Sequence, residues 1–140
     1  MSPEQNTINA NLIVEEALNR KNVAMLAQFV APGAVDHMAP PGEKPTLEST
    51  QKMLTGLFSA FPDLKYKVEF TVAEGDCVVQ YVNAHGTMRG SFNGMPATNK
   101  DATWNEIHIS QFDKNGKVIE HWATIDQLGM LQQLGFIQSR

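Results

Sequence analysis

Trp104-Asn105-Glu106-Ile107-His108-Ile109-Ser110, followed by Lys114-Asn115-Gly116-Lys117 and then Val118-Ile119-Glu120-His121-Trp122, reads as two strands either side of a turn. Side chains alternate across a strand. Trp104, Glu106, His108 and Ser110 therefore share one face, and Ile107 and Ile109 share the other. The Asn-Gly pair supplies the turn that lets the strands pair antiparallel. Titratable groups and two indoles then stand on neighbouring strands of one sheet, which suits a small-molecule pocket. Glu120 and His121 are consecutive, so only one of them enters a given cavity.

Beyond this hairpin, Asp126 is placed to cap a short helix carrying Leu128, Met130, Leu131 and Leu134. Upstream, Tyr66, Val68, Phe70 and Val72 alternate with Lys67, Glu69 and Thr71, and Glu74-Gly75-Asp76 turns the chain into a long strand from Cys77 to Met88. On that strand Cys77, Val79, Tyr81, Asn83 and His85 share a face. Asn93-Gly94-Met95-Pro96 reads as a connection. The first half of the chain is helical. Ile13, Val14, Ala17 and Leu18 mark a helix over residues 8–20. Val23, Leu26, Phe29 and Val30 mark a second, capped by Asn22 and ended by Pro32-Gly33. Leu54, Leu57, Phe58 and Phe61 mark a third, started by Thr46 or Ser49 and stopped by Pro62. Ala34-Val35-Asp36-His37 is a short extended piece. Helices followed by strands predict an α+β fold, in which a twisted antiparallel sheet wraps three N-terminal helices around a cone-shaped cavity and a short helix closes the chain.

The chain has 140 residues, the size of one domain spanning 1–140, with fifteen acidic and eleven basic residues and a net charge of −4. Lys and Arg form no cluster, which argues against a nucleic-acid footprint and an anionic membrane surface. Apolar runs are too short to span a bilayer. Met1-Ser2-Pro3-Glu4-Gln5 resembles no secretion signal, so a cytoplasmic location is expected. The one cysteine, Cys77, excludes an internal disulfide and reads as a small buried apolar residue. The histidines have no metal-binding spacing, so no metal site is expected.

His108 reads either as a pocket base or donor to a substrate carbonyl, or as a hydrogen-bonded histidine on a half-buried sheet. Trp104, Trp122, Phe92, Met88 and Tyr81 either floor a pocket for a flat ring or belong to an ordinary core.

Four segments together resemble the SnoaL-like polyketide cyclases of the nuclear transport factor 2-like superfamily. They are Phe29-Val30-Ala31-Pro32-Gly33-Ala34-Val35-Asp36-His37; Phe61-Pro62-Asp63-Leu64; Gly86-Thr87-Met88-Arg89-Gly90 with Gly94-Met95-Pro96-Ala97-Thr98; and Gly116-Lys117-Val118-Ile119-Glu120-His121-Trp122 running on to Gln133-Leu134-Gly135. The resemblance implies a cone with a buried apolar pocket, a homodimer or homotetramer, and ring closure by an aldol reaction with no metal or organic cofactor. It further implies one acid/base carboxylate helped by pocket histidines. The family's pocket histidine matches His108, its acid/base aspartate falls on Ala123, and a second histidine falls on Met88. If Ala123 lines the cavity, His121 shares its face and could take over proton transfer; otherwise His121 is a solvent-exposed or dimer-interface histidine. Asp36 and His37 fall near the pocket mouth by the same likeness, where a carboxylate beside an apolar cavity suits a general base; the simpler alternative is that Asp36 caps a turn with His37 at the surface.

Two functions follow as expectations. One is a small-molecule enzyme doing cofactor-independent acid/base chemistry (cyclisation, isomerisation or hydration) on a hydrophobic carbonyl-bearing substrate. His108, His121 and Asp36 would be its catalytic groups, and Trp104, Glu106, Met88, Tyr81, Phe92, Trp122, His37 and Ala123 its pocket. The other is a non-catalytic ligand-binding or dimerisation module of the same fold, favoured by Ala123 and Met88.

Overall fold

The structure, a computed structural model, describes residues 1–138. Ser2 accepts from the Gln5 amide and caps α1 (Pro3–Leu12), so the first helix starts five residues before its apolar pattern does. α1 runs on as a π-helical segment, Ile13–Asn19, which buries Val14 and Ala17. The expected second helix is reduced to a 3-10 turn (Val23–Met25) and α2 (Leu26–Phe29). The backbone turns extended at Val30, and β1 (Val30–Asp36) carries straight through Pro32-Gly33. Gly33, at φ +79°, absorbs a bulge there and does not end a helix. Thr46 caps α3 (Leu47–Ala60) through its hydroxyl, as its position in sequence suggests.

β2 (Lys65–Glu74), β3 (Cys77–Thr87), β4 (Asp101–Phe112) and β5 (Val118–Ile125) form an antiparallel run, and α4 (Gln127–Leu134) closes the chain under an Asp126 cap. The strand order is β1-β5-β4-β3-β2. β1 joins β5 in parallel, so the sheet is mixed at one edge where the sequence suggested an antiparallel sheet throughout. At the β4–β5 turn, Asp113 Oδ1 accepts from the amides of Asn115 and Lys117, and Gly116 sits at φ +77°.

A bulge in β2 changes the expected faces. Val68 pairs Val82 but Phe70 pairs Tyr81, so Glu69 is the extra residue. Past it the alternation inverts, and Phe70 and Val72 stand outward at 57% exposure each. Tyr66 and Val68 keep the inner face. β3 and β4 pair even residue with even, Val82 to Glu106 and Gln80 to His108. The inner face of β3 is therefore Val78, Gln80, Val82 and Ala84. The Cys77–Tyr81 face is the outer one, and Cys77 is half-buried there and not in the core.

The main core lies between the inner sheet face and the helices, with Val14, Ala17, Phe58, Leu64, Trp104 and Leu134 among its members. A smaller cluster of Ala10, Val78, Phe112 and Val118 fills the other end. No helix among the described residues is long and apolar enough to cross a membrane.

Candidate active site

A cavity of about 130 Å³ opens between the two clusters, walled by the π-helical turn, α3 and the inner sheet face. Its wall is mostly aliphatic, with Val14, Leu26 and Leu54 opposite the sheet. Polar groups enter from the strands: Tyr66 on β2, Gln80 on β3, Glu106, His108 and Ser110 on β4, His121 on β5 and Asp36 at the end of β1. The register brings them together. Ser110 pairs His121 and Asp36 pairs His121, so three strands deliver polar side chains to one place.

Four of these groups form one line of hydrogen bonds. Asp36 Oδ1 lies 2.9 Å from His121 Nδ1, His121 Nε2 lies 3.0 Å from His108 Nδ1, and His108 Nε2 lies 2.7 Å from Glu106 Oε1. The imidazoles stack at 5.2 Å between centroids. Each end is held. Thr50 on α3 donates to Asp36 Oδ2 at 2.6 Å, the Met38 amide donates to Oδ1, and the Trp104 indole N–H donates to Glu106 Oε2 at 2.7 Å. Glu106 is only 4% exposed.

Burial alone would raise the Asp36 carboxyl. Hydrogen bonds from His121, Thr50 and the Met38 amide, together with the charge of His121, outweigh it and hold Asp36 below the usual carboxylate range. Tyr66 moves the other way. Burial, and to a lesser extent the charge of Glu106, push its phenol well above the usual tyrosine value, so it stays protonated.

Every ring nitrogen of His108 and His121 is taken up in this line. Three contacts need three hydrogens, and two carboxylates and two imidazoles sharing three hydrogens carry one net negative charge wherever the hydrogens sit. The arrangement can therefore accept a proton at one carboxylate and release one at the other by moving hydrogens along the line, with the imidazoles as relays.

Of the sequence-derived residues, His108, His121, Asp36 and Glu106 meet at this cavity, and the others stand elsewhere. Trp104 is core, edge-on to Phe61 at 5.7 Å, and reaches the site only through its N–H to Glu106. Met88 is fully buried in the core beyond the end of β3, away from the cavity wall. Tyr81 lies on the outer face, stacked on Phe70 at 5.2 Å, because the β3–β4 register turns odd residues outward. Trp122 also faces outward, as neighbour of an inward His121, and stacks on His37 at 5.1 Å. His37 bonds Glu120 there at 2.6 Å. Phe92 bridges Met95 in the β3–β4 connection and lines a shallow groove beside α3, not the main cavity. Ala123 pairs with His108 on the inner face but is not one of the residues that wall the cavity.

Thr50, Tyr66 and Gln80 join the site without having stood out in the sequence. Gln80 carried a signal, a polar side chain between Val78 and Val82 on a buried face. Tyr66 was visible only as an apolar-face residue. Thr50 carried none, since its partner lies fourteen residues away across a loop.

No curated protein matches this chain in sequence. Solved structures do. AclR from Streptomyces galilaeus, provisionally assigned as a hydroxylase, matches at 26% identity and TM-score 0.87 over 99% of this chain and 86% of its own. IdmH from Streptomyces antibioticus, provisionally assigned as a polyketide cyclase, matches at 29% identity and TM-score 0.82 over 94% of this chain and 99% of its own. TsrD from Streptomyces laurentii, at 22% identity and TM-score 0.87 over 98% and 99%, shares the fold. The family model described as SnoaL-like polyketide cyclase matches residues 8–134, and with the cone, its cavity and its inward-facing His108 in view, the chain belongs to that family.

Proposed function

We propose that this chain is a small-molecule enzyme moving protons, without metal or organic cofactor, on an apolar carbonyl-bearing substrate, as a cyclase, isomerase or hydratase does. The observation that carries this reading is the unbroken Asp36–His121–His108–Glu106 line facing an aliphatic cavity. A carboxylate at one end removes a proton beside the carbonyl, and the relay returns one from the other end. Both imidazoles are saturated by partners within the protein, so within this line the atoms left to touch substrate are carboxylate oxygens. This assigns the contacting role to Glu106 or Asp36 and a relay role to His108 and His121.

The general test needs no native substrate. Acetophenone, one ring with an enolisable methyl ketone, is incubated in D₂O and its methyl deuteration followed by NMR. The protein is expected to accelerate exchange, and Glu106→Gln and Asp36→Asn are each expected to slow it about a hundredfold. Exchange no faster than in buffer would remove the catalytic reading.

Binding without catalysis is the second reading, supported by Ala123 at the family's acid/base position. Ala123→Asp discriminates between the two. A carboxylate there stands across from His108. Aldol ring closure gained only in that variant would identify a cyclase scaffold that has lost its acid/base group.

We also infer that two copies pair through the outer sheet face. Val72, Val79, Ile109 and Trp122 form one apolar row across four strands, and Phe70, Tyr81 and Ile107 a second. An aromatic patch with a polar rim has the composition of an interface.

A further inference from the structure

The polar atoms of the cavity are nearly all spoken for. Asp36, His121, His108 and Glu106 bind one another, and Gln80 Nε2 donates to Asn11 at 2.8 Å. Tyr66 is different. Its main chain is tied down, since its amide donates to Asn19 Oδ1 at 2.8 Å and its carbonyl accepts from Asn19 Nδ2 at 2.9 Å. Its side chain is 6% exposed and lines the cavity. Yet its phenol oxygen makes no hydrogen bond among the described residues, nor is it one of their sealed, partnerless polar atoms. It is a donor open to the cavity interior. Ser110 Oγ is the other hydroxyl on this wall without a partner among the described residues.

We propose that Tyr66 is the carbonyl-oxygen subsite of this cavity. Its phenol would donate a hydrogen bond to the oxygen of a substrate no wider than a single ring, while the Glu106 end of the line faces the adjacent carbon. The subsite rests on the proton-transfer reading above and adds the electrophilic partner which that reading lacks. When an α C–H bond breaks, its electron pair forms the C=C bond, the carbonyl pair moves onto oxygen, and the proton goes to the carboxylate. The enolate oxygen then needs a fixed donor in a dry site. Tyr66 can supply it only while it remains a phenol, and burial keeps it in that form. The size limit comes from the cavity: about 130 Å³ is close to the volume of an engineered apolar cavity that accepts benzene.

The experiment uses acetophenone carrying ¹³C at the carbonyl, with its bound C=O stretch read by difference infrared. In the wild-type protein the stretch is expected well below its value in hexane. Tyr66→Phe should return it most of the way to the hexane value and weaken binding by about tenfold or less. Ser110→Ala should leave it in place. The proposal is overturned if the wild-type stretch already equals that in hexane, a reading that needs no variant to fold. It is equally overturned if Ser110→Ala, and not Tyr66→Phe, moves the band. Loss of deuterium exchange with the band shift intact would count against the catalytic reading alone. Failure of acetophenone to bind the wild-type protein at millimolar concentration would overturn subsite and reading together.

Discussion

Asp36 anchors the line of contacts, and it is over-determined. Two hydrogen bonds reach it from Thr50 and Met38 before His121 is counted. Its folded-state value lies below the unfolded one, so its contribution to stability is fully present above the unfolded carboxyl value of about 3.9 and is lost as pH falls through the lower folded value. Urea denaturation should therefore show Asp36→Asn less stable than wild type at pH 7, with the gap closing in strong acid. A gap that widened on acidification would contradict the sign. Thr50→Val removes one donor without touching the imidazoles. It should lower acetophenone exchange less than Asp36→Asn does, with the deshielded His121–His108 ring proton still visible by NMR. The Asp36–Thr50 contact escapes any local pattern because a hydrogen bond between a strand end and a helix start has no period in sequence. The face that His108 shares with Trp104, Glu106 and Ser110 was legible, because the alternation of β4 is uninterrupted from Trp104 to Ser110, while the side of the sheet on which the cavity lies was not.

Helix α3 was readable as a helix started by Thr46 or Ser49 and running to about Phe61 before Pro62, and the structure chooses Thr46 as its cap and ends it at Ala60. Its glycine tests the local rule. Gly56 is exposed, and a Cβ added there would meet nothing within 4 Å, so Gly56→Ala should raise stability by up to about 1 kcal/mol in chemical denaturation. Gly90 behaves oppositely. Its amide and that of Arg89 both donate to the Ala60 carbonyl, closing the end of α3. An added Cβ would stand 3.1 Å from the Ser59 oxygen and 3.2 Å from Ala60 Cα. Gly90→Ala should cost about 1–3 kcal/mol. Equal effects in the two variants would refute this local account. Strand β2 shows where element-level reading stops. Tyr66-Lys67-Val68-Glu69-Phe70-Thr71-Val72 alternates perfectly, yet the bulge at Glu69 sends its two halves to opposite faces. β1 was half-legible: the extended Ala34–Asp36 shows in the sequence, while Val30 to Gly33 reads there as a helix end.

Across the molecule, the curved sheet sets an inner cavity face against an outer apolar face. Of the outer rows Phe70, Val72 and Ile107 are exposed in a single copy while Val79, Tyr81, Ile109 and Trp122 are half-buried, and Phe70 is the largest of the exposed side chains. Phe70→Glu places a charge at the β2 end of these rows. Light scattering after size exclusion should show wild type at twice the chain mass and the variant at the chain mass. A wild-type monomer would remove the pairing inferred from this face. The acetophenone exchange rate per chain should change little in that variant, since the cavity opens on the opposite side of the sheet.

The sequence alone carried what repeats along it: the helical and strand periods, the Asp126 cap, the Asn115-Gly116 turn and the face shared by Trp104, Glu106, His108 and Ser110 on β4. Those features depend on neighbours a few residues away, and local backbone geometry enforces them. Tertiary structure alone supplied the parallel pairing of β1 with β5, the bulge that turned Phe70 outward, the register that put Tyr81 outside and Gln80 inside, and the meeting of Asp36 with His121 across 85 positions. Those are set by which strands lie side by side, and no local period encodes that.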